Sequence, residues 1–107
     1  MSAQPRFAEY FVDFGVRLAR LIHALGMDIE APTISSHVAA EVLELAGTVA
    51  HTSERKFAPL AAFVTGIAVG QLRAAGRLGS DHEVAALVAQ LRTELDASIA
   101  RQPPDGA

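Results

Sequence analysis

Apolar residues recur at helical spacing in four successive segments of this chain, and no segment alternates apolar and polar residues as a half-buried strand would. In the first segment Phe7, Phe11, Phe14, Leu18, Leu21, Ile22 and Leu25 follow one another, while Glu9, Asp13, Arg17 and Arg20 gather on the opposite side. This predicts a helix from about Phe7 to Leu25, with Gly26 as its C-terminal cap and a surface ion pair between Asp13 and Arg17. The stretch Met27 to Ser36 carries Pro32 and a Thr and Ser cluster, and is expected to be a connection ending in a helix cap.

Helix two is expected over about Ser36 to His51. Val38, Val42, Leu45 and Val49 form its apolar stripe, and His37, Glu41, Glu44, Thr48 and His51 its polar side. A loop from Thr52 to Ala58 leads to Pro59, a residue suited to the first position of helix three because its missing N–H is not needed there. That helix is predicted to reach about Ala75. It is apolar almost all round, with Gly66 and Gly70 one turn apart, so it is expected to be the buried, central helix of a bundle, packed closely against a neighbour at the two glycines. Gly76 and Gly79 bracket a turn, and Ser80 with Glu83 forms a capping box for helix four. Val84, Leu87, Val88, Leu91, Leu95 and Ile99 carry that helix to about Arg101. The expected fold class is therefore all-α, a four-helix bundle spanning residues 1–101 with helix three central, followed by a disordered tail over 102–107.

Length and composition agree with one small domain. The chain has 107 residues, of which 50% are hydrophobic, many of them Ala, and 20% are charged. With 9 basic and 12 acidic residues and no basic block, it lacks the electrostatic footprint of a nucleic-acid or anionic-lipid binder. The absence of Cys removes disulfides, thiolate nucleophiles and the commonest structural zinc sites. The opening residues lack the features of a secretory signal, and the longest uncharged run, Phe57 to Leu72, is about 16 residues against the roughly 20 of a bilayer span. A cytoplasmic protein without a membrane or nucleic-acid partner is expected.

Two places hold candidate chemistry. On helix two, His37, Glu41 and Glu44 have the spacing to share a cation, yet neither the ferritin-like nor the metalloprotease motif is present. No metal, no cofactor and no catalytic residue is assigned. Between helices two and three, His51, Arg55 and Lys56 lie beside the N-terminus of the helix beginning at Pro59, where cationic side chains and free N–H groups suit a carboxylate, a phosphate or an acidic partner segment. His23 and His82 occur singly. There is no nucleophile elbow, P-loop or dinucleotide-binding turn.

The stretch Val42 to Gly70 resembles the signature of an uncharacterised family of small bacterial helical domains. The similarity rests on Ala50, His51, Arg55, Ala58, Pro59, Leu60, Phe63, Gly66 and Gly70, with Leu25 and Gly26 matching an upstream pair. Lys56 and Phe57 stand where that signature has Pro and Ala, and helix one lacks the usual Trp. Members of that family resemble accessory domains found alone or attached to modules similar to molybdenum-cofactor guanylyltransferases. The resemblance implies a protein partner in a molybdoenzyme system of the formate dehydrogenase type, either the enzyme or a maturation factor.

The leading expectation is thus a non-catalytic helical accessory or interaction domain, using His51, Arg55, Lys56, Pro59 and Phe63 to contact a protein partner, with Gly66 and Gly70 serving helix packing. A homo-oligomer is compatible with this. A small-ligand or anion-binding protein using the same loop comes second, and a metal-dependent enzyme using helix two third.

Overall fold

A computed structural model describes residues 6–101, with side chains as far as Ser98. The protein is all-α: α1 spans Phe7–Ala24, α2 Ser36–Thr52, α3 Phe57–Ala74 and α4 Asp81–Arg101, with no strand among the described residues. The tail expected at 102–107 lies outside the described residues.

The helix ends are built as their sequences require. At the C-terminus of α1, Gly26 adopts φ +93° and donates to the His23 carbonyl, while the Met27 N–H reaches back to Ile22. Gly76 does the same after α3 at φ +72°, with Gly76 bonded to Arg73 and Arg77 to Leu72. These are Schellman caps, which need a left-handed residue and so favour glycine. The capping box of α4 is formed: the Glu83 N–H donates to Ser80 Oγ at 3.2 Å, and the Glu83 carboxylate accepts from the Gly79 N–H and the Ser80 hydroxyl. Asp13 and Arg17 pair at 2.9 Å as expected.

The chain is organised as two compact units, the first ending at Ser36 and the second beginning at His37. In the first, α1 is followed by an irregular segment that folds back along it. Gly15 is the one buried residue of α1, and the Pro32 carbonyl lies against it. Phe11, Phe14 and Leu18 border an apolar crevice with Pro32, Thr33 and Ile34. The predicted apolar stripe of α1 is otherwise largely exposed, including Phe7, Phe14, Leu21 and Leu25.

In the second unit the buried apolar residues come from two helices: Val38, Ala39 and Leu45 of α2, and Val84, Ala85 and Val88 of α4. The His37 and His82 rings stack at 5.5 Å where both helices begin, and His51 shares a groove with Asp96 further along, so α2 and α4 run in the same direction. The α3 helix is the return between them. Glu41 meets Arg92 across the pair at 3.8 Å, with both side chains about three-quarters covered.

One expectation is overturned. Helix three is not the central, buried helix, since no residue of α3 is buried, and a Cβ added at Gly66 or Gly70 would meet nothing within 4 Å. The α2 and α4 helices take that place because each offers a distinct stripe of medium-sized apolar residues, which interdigitate more fully than the Ala-rich side of α3. Pro59 also sits differently: α3 begins at Phe57, which makes Pro59 its third residue, still within the first turn where no N–H is required.

Candidate functional site: the α2–α3 turn and the outer face of α3

After Thr52 the chain leaves α2 through Ser53, whose N–H still bonds the Val49 carbonyl, while the Thr52 hydroxyl donates to the Thr48 carbonyl at 2.7 Å. The turn that follows is tightly wound. The Phe57 N–H bonds the Glu54 carbonyl at 2.9 Å and the Ala58 N–H bonds the Arg55 carbonyl at 3.1 Å, so α3 continues directly from it without a side-chain cap. These two donors are engaged, and Pro59 has none to offer. Lys56 pairs with Glu54 at 3.5 Å, an exposed contact of small energetic weight. The free N–H cradle expected at this helix start is therefore largely occupied by the protein's own carbonyls.

The predicted site residues divide between two places. Arg55 and Lys56 lie in the exposed turn, with Pro59 just inside α3. His51 lines an open groove with Leu43, Glu44, Gly47, Thr48 and Asp96, which places acidic groups of α2 and α4 around it. On helix two, the proposed cation ligands are otherwise engaged: His37 stacks on His82 and Glu41 faces Arg92. No group of three metal-ligating side chains occurs among the described residues.

Phe63 opens the larger feature. The more sheltered side of α3 carries Ala58, Ala61, Ala62, Thr65, Val69 and Leu72, each half-buried. Its outer side carries Leu60, Phe63, Val64 and Ile67, spaced i, i+3, i+4 and i+7, and Phe63 is 70% exposed. In the first half of α3 the small Ala58, Ala61 and Ala62 thus face inwards and the large Leu60, Phe63, Val64 and Ile67 outwards, the reverse of the size order expected of a helix whose contacts end within its own unit. Further on, Val69 and Leu72 are sheltered and Gly66, Ala68 and Gly70 exposed. Leu60, Val64 and Ile67 are the functional candidates that sequence reasoning assigned to the core. Their helical spacing was visible, but no polar face marked which side of α3 turns outwards.

By length and composition α3 is also the one helix among the described residues apolar enough to cross a membrane.

The profile of a family described as "Domain of unknown function (DUF6457)" matches residues 17–103, and this chain belongs to that family. No curated protein and no solved structure matches it.

Proposed function

We propose that this chain, a member of a family of unknown function, is a non-catalytic interaction domain that docks a protein partner through the α2–α3 turn and the outer face of α3. The observation that carries this is the outward stripe of Leu60, Phe63, Val64 and Ile67, which leaves a contiguous apolar surface beside the cationic Arg55 and Lys56. Such a surface, apolar at its centre and charged at its rim, has the anatomy of a protein interface. The engaged N–H groups at the start of α3 favour this over anion binding at the turn.

The resemblance of Val42 to Gly70 to accessory domains of molybdenum-cofactor systems supports a finer form of the proposal: a cytoplasmic partner of the guanylyltransferase-like or molybdoenzyme kind. The test is direct binding between the purified chain and the guanylyltransferase-like module of the same organism, compared between the parent and Arg55→Glu. Binding that weakens at least tenfold in the variant, with the loss shrinking at high salt, is the expected result. Absence of binding by the parent rejects the molybdenum context, and equal binding by the two proteins removes the turn from the interface.

A further inference from the structure

We infer that the outer face of α3 pairs with the same face of a second copy of this chain, forming a two-fold symmetric dimer. This rests on the interaction-domain reading and names one partner for the apolar half of that surface. Phe57, Leu60, Phe63, Val64 and Ile67 are between 41% and 70% exposed. Taking about 150–250 Å² for an aromatic side chain and somewhat less for an aliphatic one, they leave about 500 Å² of apolar surface per copy. Two such faces, wholly covered, supply roughly the 1,000 Å² that a specific interface must clear, and about 500 Å² on one copy stands in the upper part of the ~300–600 Å² of a monomer's largest and often functional patch.

The chemistry of the face suits self-pairing. It has no charged side chain, so a two-fold axis through it sets apolar group against apolar group and brings no like charges into its centre. At its two ends Lys56 is paired with Glu54 at 3.5 Å and Arg73 with Asp81 at 3.1 Å, and Arg55 stands in the turn beyond the face itself. A second copy presents the same uncharged stripe, and in a two-fold pair each of its residues meets its counterpart on both sides of the axis.

Sedimentation equilibrium of the full chain tests the pairing, with circular dichroism confirming that each variant keeps its helix content. A dimer is expected at tens of micromolar, and Phe63→Glu is expected to weaken it at least 100-fold, because the introduced carboxylate would be buried against its symmetry mate. Phe63 is exposed in the single chain, so the variant folds; Leu60→Asp serves as the second variant on the same face. A monomer at 100 µM, a dimer that both variants leave unchanged, or a monomer that floats with phosphatidylcholine vesicles each overturns the inference. A monomer that still binds the guanylyltransferase-like module through Arg55 rejects the dimer and leaves the interaction domain standing. A dimer that binds no such module does the reverse.

Discussion

The Pro32 carbonyl oxygen lies where a side chain on Gly15 would begin, and a Cβ placed on Gly15 would overlap it outright. Backbone cannot clear such an overlap without the whole segment moving, so glycine at position 15 is what lets the connection lie along α1. Gly15→Ala is expected to displace the segment, costing about 1–3 kcal/mol as overpacking does. Limited proteolysis checks it, with faster cleavage between Met27 and Ser36 in the variant. Unchanged cleavage would mean that the segment does not rest on α1 at this point.

The two leucines at positions 43 and 45 of α2 separate surface from core. Leu45 is 1% exposed and Leu43 71%. Leu45→Ala is expected to cost about 2–5 kcal/mol, the sum of lost transfer energy and a cavity between α2 and α4, and Leu43→Ala about 0.5 kcal/mol or less. Chemical denaturation of both variants measures the contrast, and similar midpoints would contradict the placement of the core.

Replacing Ser80 with Ala removes the acceptor for the Glu83 N–H and the donor to its carboxylate. A loss of about 1 kcal/mol is expected, read from the denaturation midpoint. Glu83→Gln retains an acceptor for the Gly79 N–H and is expected to cost less than Ser80→Ala.

Gly66 lies inside α3 with open space where a Cβ would point. Gly66→Ala is therefore expected to raise stability by about 0.5–1 kcal/mol, through the backbone entropy that glycine loses on folding. A lowered thermal midpoint would show that another segment does approach α3 there, as the sequence suggested and the structure does not.

The features legible in the sequence are those governed by contacts within a few residues. The four helices, the cap at Gly26, the turn at Gly76, the box of Ser80 with Glu83 and the pair of Asp13 with Arg17 each depend on local spacing and backbone preference, and all of them are formed. The stripes of α2 and α4 were readable for a related reason, because a polar side opposite the apolar one sets the rotation of the helix.

The rotation of α3 was not legible in this way, because a helix apolar on every side has no polar face to mark what turns outwards. Tertiary packing decided it: Ala58, Ala61, Ala62 and Thr65 went to the sheltered side, where small residues permit close helix approach, and Leu60, Phe63, Val64 and Ile67 were left on the surface. The meetings of Gly15 with Pro32, Glu41 with Arg92 and His37 with His82 are likewise tertiary. Local propensity and periodicity determine that each segment is a helix and where it ends. Which face meets which depends on how side-chain volumes fill the space between helices, and that is settled only when the helices are brought together.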